Sequence, residues 1–524
     1  MLRVFQNDLL TPGRFVVTLE LVPGRESTGR SVETVMAVAK DAFADGRISA
    51  VSMTDNPGGN PSLSPDAFGS EIFKIGMDVI IHFTCRDSNR VGMESRALQL
   101  AMMGMKNILA LTGDYTGHGY GGQGAPVFDL DSVNLLAMLR LLNERMRQAG
   151  DPDDFFAGCA VSPFKRTEGE TFAQYAKLCR KTAAGARFVI TQLGYDARKF
   201  EELMRIKTLL GIDLPVLGSV YVLNPKVARI MNQGRIPGAV VTDDLLARVR
   251  QEWTDPKTGR KAAVERAARL AAVLKGLGYR GIHIGGVHRS FAPVAQILDR
   301  MARIQDRWTE FLDDFDFPLK NGFYAFESKK EGRKDRPRFG VRPQRLAAGE
   351  KLGFQLMRKA HRLFFEPTSP GAPLMERFCR WIDRKHYGKL LFRLAEDPSK
   401  KLLLGCRRCG DCAIEYVGFL CPESGCAKHI RNGACGGSRD GMCEVFPDRP
   451  CVWEQAYRRW ASTAETDKMA DGCVPPRMWE LDRTPSWLNF YLGRDHHGVS
   501  TELARFCRAS QCRIDSALFP RKHP

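Results

Sequence analysis

The chain reads as an α/β protein: a (β/α)8 (TIM) barrel followed by a smaller cysteine-rich, metal-binding C-terminal domain. Two observations lead there. Eight short β-rich runs alternate with helical stretches through the first 300 residues, and eight cysteines crowd into residues 406–451. Eight strand–helix units in succession suit a closed parallel barrel. A doubly wound open sheet is the competing architecture, but the G-x-G-x-x-G that commonly follows its first strand is missing.

The runs are VVTLELVP (16–23), ISAVSMTD (48–55), DVIIHFTC (78–85), NILALTGD (107–114), FAGCAVSP (156–163), RFVITQLG (187–194), PVLGSVYV (215–222) and GIHIGGVH (281–288). Most are too short and too β-branched for helices, and Gly, Pro or Asp bound them. Between them lie helical stretches such as SVETVMAVAKDAFADG, VNLLAMLRLLNERMRQAG and AVERAARLAAVLKGLG. The expected domains are 1–305 for the barrel, 306–349 for a connector and 350–524 for the cysteine-rich domain.

No apolar run approaches the ~18 residues of a membrane span, and the opening MLRVFQNDLL lacks a signal-peptide pattern. A soluble, cytoplasmic protein with no membrane partner is expected. In a reducing cytosol the 15 cysteines point to metal rather than to disulfides. The net charge of +18 is uneven: residues 1–300 carry 38 Lys/Arg against 31 Asp/Glu, and 301–524 carry 40 against 29. A basic tail half can attract nucleic acid, an acidic protein or a polyanionic cofactor. The stretch 327–345, with eight Lys/Arg and two prolines, reads as an exposed linker, and nucleic acid is not an expected partner.

A barrel places its chemistry at the C-terminal ends of its strands. Glu20, Thr54 and Asp55, Thr84 and Cys85, Asp114, Ser162, Gln192 and His288 all stand near the ends of their runs. A carboxylate within VVTLELV is costly unless paired or hydrogen-bonded, which singles out Glu20. The plainer alternatives are a strand-ending turn for Asp114, a bond to a neighbouring loop for Gln192, and simple core packing for His82 and Cys85. The Gly-rich insert 115–136, with Asp129 and Asp131, reads either as a phosphate-approaching loop or as a flexible lid.

Taken together, TLELVPG (18–24), VSMTDNPGG (51–59), HFTCRDSNR (82–90), NILALTGD (107–114) and GARFVITQLGYD (185–196) resemble methylenetetrahydrofolate reductases over roughly residues 10–305. That resemblance implies a flavin-containing barrel that reduces 5,10-methylene-tetrahydrofolate to 5-methyl-tetrahydrofolate. It also assigns roles. Glu20 matches the catalytic general acid, Asp114 the aspartate near flavin and pterin, and Gln192 the pterin-contacting glutamine. Thr54, His82, Thr84 and Lys181 match flavin-binding positions. There are departures: Leu19-Glu20-Leu21-Val22-Pro23-Gly24 in the first motif, Thr112 where many members carry Arg, and Gln174 and Lys177 in place of the usual ribityl-holding pair. These leave the flavin open between FAD and FMN, and the donor open between NAD(P)H and a reduced electron carrier.

The tail holds Cys406, Cys409 and Cys412 as C-x2-C-x2-C, then Cys421-Pro422, Cys426, Cys435, Cys443 and Cys451. This spacing suits a [4Fe–4S] cluster, and C-x2-C pairs suit zinc as well. Eight thiols can make two four-cysteine sites, with His429 as a possible substitute ligand. Cys473, Cys507 and Cys512 lie outside the group. With KHIRNGACGG (428–437) and Cys451-Val452-Trp453, the tail resembles a module fused to some reductases of this family, or found as their separate partner subunit. The resemblance implies iron–sulfur or zinc, an electron-transfer protein as partner, and a homo-oligomer. The alternative is a folate-binding methyltransferase or demethylase component with a structural zinc module.

Overall fold

A computed structural model describes residues 3–327, 337–340, 345–366 and 368–499. Eight parallel strands close a barrel in the order β1-β8-β7-β6-β5-β4-β3-β2. They are β1 (Val16–Leu21), β2 (Ala50–Met53), β3 (Val79–Thr84), β4 (Asn107–Leu111), β5 (Phe156–Val161), β6 (Phe188–Thr191), β7 (Val216–Tyr221) and β8 (Gly281–Gly285). Each falls on the run expected of it. Most end before the polar residue that closes the run, so Thr54, Asp114, Ser162 and Gln192 sit just past strand ends. Closure runs through β1, whose Thr18 pairs with Ala50 of β2 on one side and His283 of β8 on the other.

Parallel strands with both faces covered read as near-continuous apolar runs. All six residues of β3 are buried. Side-chain caps start the helices where expected. Asp131 caps Ser132–Gln148, and Thr167 and Glu170 form a reciprocal capping box on Glu168–Ala183.

The short helix Val4–Leu10 closes the barrel floor. Phe5 and Leu9 are wholly buried among Phe156, Phe188, Ile80 and Leu217. The Phe5 ring meets those of Phe156 and Phe188 edge-on at 5.9 and 5.2 Å. With the floor filled, a ligand reaches the interior from the mouth, where the C-terminal strand ends and their loops lie.

The mouth is covered by the C-terminal part of the chain. Helices Ala348–Phe364, Ala372–Asp383 and Gly388–Leu404 lead into the cysteine loops, and Val452–Ala461 follows them. Val452–Ala461 buries Trp453, Tyr457 and Trp460. Its Tyr457 packs on Phe172 at 5.2 Å and donates to Glu168 at 2.7 Å. Gly169 permits that approach, because a Cβ there would fall 2.2 Å from Glu454 and 2.7 Å from Tyr457.

The glycine hairpin of the insert after β4 is exposed, with Tyr120 at the surface, while the insert's end also fastens the C-terminal part to the barrel, a role the sequence did not suggest. Asp129 binds Arg90 and accepts from the Trp479 indole at 2.7 Å, and Asp131 accepts from the backbone and side chain of Asn432 at 3.0 and 3.1 Å. An aspartate between apolar neighbours signals a buried partner, but the sequence does not say that the partner lies 301 residues away. Most of the basic linker (328–336 and 341–344), and Cys507 and Cys512, lie outside the described residues.

Replacing Phe5 by Ala empties the floor and should cost about 3–5 kcal/mol. Chemical denaturation measures it; a loss under about 1 kcal/mol would mean the floor is not held by this ring.

Candidate functional site

The mouth opens into a cavity of about 280 Å³. Its walls bring together most of the barrel residues singled out from the sequence, among them Glu20, Thr54, His82, Thr84, Asp114, Lys181 and Gln192. His288 and Cys85 stand apart, the first exposed and the second in the core.

Glu20 reaches in from β1. Glycine at 285 leaves room for it, since a Cβ there would lie 3.1 Å from the carboxylate. About a quarter of the side chain is exposed, all of it toward the cavity. The enclosing barrel wall still strips the carboxylate of most of its water, and this burial raises its pKa to about 7. His283 stands 4.0 Å away. Burial, and then the neighbouring His82, lower its pKa to about 3, so it is neutral and gives Glu20 no counter-charge. Its Nδ1 is 2.8 Å from the Thr18 hydroxyl.

Polar atoms without protein partners mark where a ligand would bind. Thr54 Oγ1, His82 Nε2, Ser162 Oγ and Gln174 Nε2 are buried and unpaired in the wall. Buried polar groups are nearly always hydrogen-bonded, so such a set fits a polar ring system. Burial lowers the His82 pKa to about 4, keeping the imidazole neutral. Lys181 donates to Ala160 O at 2.6 Å, and burial lowers its pKa to about 8.

Two sequence candidates have their polar atoms engaged. Thr84 donates to Asp55 at 2.9 Å, and Asp55 also receives Arg96 at 2.9 Å. The Gln192 amide donates to Pro237 O at 3.0 Å and accepts from Leu193 N at 2.8 Å, the loop bond that was its plainer alternative. Asp114 accepts from Gly58 N at 3.1 Å. Burial raises its pKa, with Lys428 pulling down and Glu444 pushing up.

Lys428 and Glu444 come from the cysteine-rich segment, and so do Cys435, Gly436 and Gly437, which also line the cavity. Lys428 forms a buried ion pair with Glu444 and donates to Gly113 O at 2.7 Å, beside Asp114. The Cys435 thiol donates to Glu444 at 3.1 Å. Two barrel lysines hold this strap from the other side. Lys165 donates to Gly436 O and Ser438 O at 2.5 and 2.6 Å, and Lys177 donates to Gly433 O at 3.1 Å. Gly433 lies at φ +103°, and a Cβ there would press on Lys177 at 3.0 Å. The strap therefore needs its glycines. KHIRNGACGG was visible in the sequence as a motif; that it would enter the barrel's cavity was not, because both contacts span some 300 residues.

The eight clustered cysteines form two groups. Cys406, Cys409, Cys412 and Cys421 line one small hollow with Asp411 and Arg431. Cys426, Cys435, Cys443 and Cys451 form the other: beyond burial, Cys443 acts on Cys426, Cys426 on Cys435, and Cys426 and Cys435 on Cys451. The short helix Pro422–Gly425 lies between the two groups in the chain. Among the described residues Asp495, His496 and His497 bring three ligand atoms within 4.8 Å of one another.

Residues 6–302 match the family model described as methylenetetrahydrofolate reductase, and residues 389–480 match the model of a methylene-tetrahydrofolate reductase C terminal. A probable methylenetetrahydrofolate reductase (NADPH) of Caenorhabditis elegans is 27% identical over 44% of this chain and 34% of its own length. Methylenetetrahydrofolate reductase 1 of Schizosaccharomyces pombe is 22% identical over 58% of this chain and 48% of its own. The 5,10-methylenetetrahydrofolate reductase of Pectobacterium carotovorum subsp. carotovorum is 25% identical over 53% of this chain and 87% of its own. The chain thus spans about a third to a half of the length of the two eukaryotic relatives.

Asn432→Ala removes the amide that joins Asp131 to Val474 and should cost about 1–3 kcal/mol. Hydrogen exchange should then quicken along 430–437 while the barrel strands stay protected. Unchanged exchange in the strap would show that this contact does not hold it.

Proposed function

The chain belongs to the methylenetetrahydrofolate reductase family, and from that premise we propose that it reduces 5,10-methylene-tetrahydrofolate to 5-methyl-tetrahydrofolate in the cytoplasm. Glu20 carries this reading: a carboxyl whose pKa of about 7 keeps a large share of it protonated near neutral pH, about half at pH 7, facing a cavity lined by unpaired polar atoms.

Reducing the methylene bridge requires its bond to one folate nitrogen to break, and that nitrogen must be protonated as it leaves. Glu20 is the acid, and its raised pKa matches it to that task at neutral pH. Asp114, held by Gly58, orients the pterin through its amide edge. Gln192 joins it when its amide turns from Pro237 toward the cavity. Thr54, His82, Ser162 and Lys181 would hold a flavin ring, FAD or FMN, and a flavin bound there would supply the hydride. The covered mouth keeps water from the reacting atoms.

The first cysteine group supports an iron–sulfur cluster through its C-x2-C-x2-C…C-P spacing. The second group reaches the reaction cavity through Cys435. We read the module as the route by which electrons enter, with a reduced carrier or NAD(P)H as their source.

Because the acid must be protonated, kcat/KM for folate reduction should be level below pH 7 and fall about tenfold per unit above it. Glu20→Gln should keep the bound flavin's absorption and lower the rate by about 10²–10⁴. Full activity in that variant would remove Glu20 as the acid, and a colourless folate-binding protein would remove the reductase reading. Cys435→Ser should reduce iron content and slow reduction by an artificial one-electron donor; intact iron and rate would set the relay aside.

A further inference from the structure

A second cavity, of about 270 Å³, lies on the far side of the first cysteine group. Its walls are nearly all apolar. Leu356 and Met357 come from the helix Ala348–Phe364, Leu403 and Leu404 from the end of Gly388–Leu404, Trp487 and Phe490 from Ser486–Tyr491, and Cys412 itself stands in the wall. The groove opens outward, since Leu356 is 62% and Leu403 59% exposed, and the adjoining Leu402 is 87% exposed. Scattered exposed leucines need no explanation, but a contiguous apolar groove ending at a cluster ligand does.

The unpaired charges on the segments that line it have one sign. Lys351, Lys359, Lys401 and Arg407 are exposed and make no ion pair with a described carboxylate. Two acidic groups do line the groove, but both are engaged: Glu415 by His361 and His497 at 2.7 and 2.8 Å, and Asp495 by His497 at 3.0 Å. Glu366 is held near His361 and Arg362. The unpaired charge here is therefore positive, in line with the excess of Lys/Arg over Asp/Glu in residues 301–524.

We propose that this groove is the docking site of a small acidic electron-carrier protein, which seats an apolar contact between Leu356 and Leu403 beside Cys412. An apolar centre ringed by unpaired cations recruits an acidic surface by long-range attraction and holds it by burial of the centre. The inference rests on the reading of the cysteine groups as redox centres. Methylene-to-methyl reduction consumes two electrons and two protons, so two carriers, each oxidised by one electron, supply one turnover.

The test uses the full chain, with a small acidic [2Fe–2S] ferredoxin and an acidic flavodoxin as probes. Binding is followed by titration calorimetry over a range of salt. The intact protein should bind at least one probe, and binding should weaken steeply as salt rises. Lys359→Glu with Lys401→Glu should weaken binding at least tenfold, and so should Leu403→Asp. Iron content and folate reduction driven by a viologen dye should not change. Failure of both probes to bind, or binding indifferent to salt and to these substitutions, overturns the proposal. So does self-association that the same substitutions abolish, which would give the face to a second copy, or retention on phosphatidylserine vesicles, which would give it to a membrane surface. Protein that holds no iron, or that the dye cannot drive, instead sinks the redox reading on which the docking rests, and the binding isotherms show that failure separately.

Discussion

The strap from Lys428 to Gly437 is held inside the mouth of the barrel, and the rest of the site depends on that placement. Lys428 is the centre of it. Its buried ammonium joins the Asp114 loop, through Gly113 O, to Glu444, and Glu444 in turn accepts from Cys435. Such a buried ion pair gains little stability over an apolar substitute, yet removing one partner strands a charge. Its value lies in specifying one geometry: the cysteine segment can sit on this barrel in this register and not another. Lys165 and Lys177 add the same kind of constraint from the barrel side, each capping strap carbonyls that would otherwise be buried unpaired.

That placement also bears on the departures in the barrel motifs. Lys177, which stands where an acidic or amide residue commonly holds the flavin's ribityl chain, is turned to the strap's Gly433. Gln174 packs beside Gly436. Both positions thus meet the strap, and Gln174 also keeps an unpaired amide nitrogen in the cavity wall. Glu20 makes none of these contacts, and burial alone raises its pKa.

The barrel was legible in the sequence because its signals are local. A buried parallel strand writes its own run of apolar residues, and a strand-end carboxylate such as Glu20 stands out against that run. The cavity's barrel side followed, since eight strand ends must converge once the barrel closes. The docking of the two parts was not legible. Asp131–Asn432, Lys428–Gly113 and Thr167–Glu454 each join residues roughly 300 apart, and each residue alone looks like an ordinary cap or surface charge. The two aspartates that end the Gly-rich insert hid their partners for the same reason. The crowding of cysteines allowed two sets of four, and the first four do line one hollow; which strand-end loop the second set would meet was not legible, because that contact is made across some 300 residues.

The central claim is that the second cysteine group and the folate share one cavity. Electron paramagnetic resonance of the dithionite-reduced full chain, recorded as folate is added, tests this most directly. The account predicts signals from two iron–sulfur centres, with one of them shifted by folate and that shift lost in Cys435→Ser. Zinc in place of iron, or two centres indifferent to saturating folate, would contradict it.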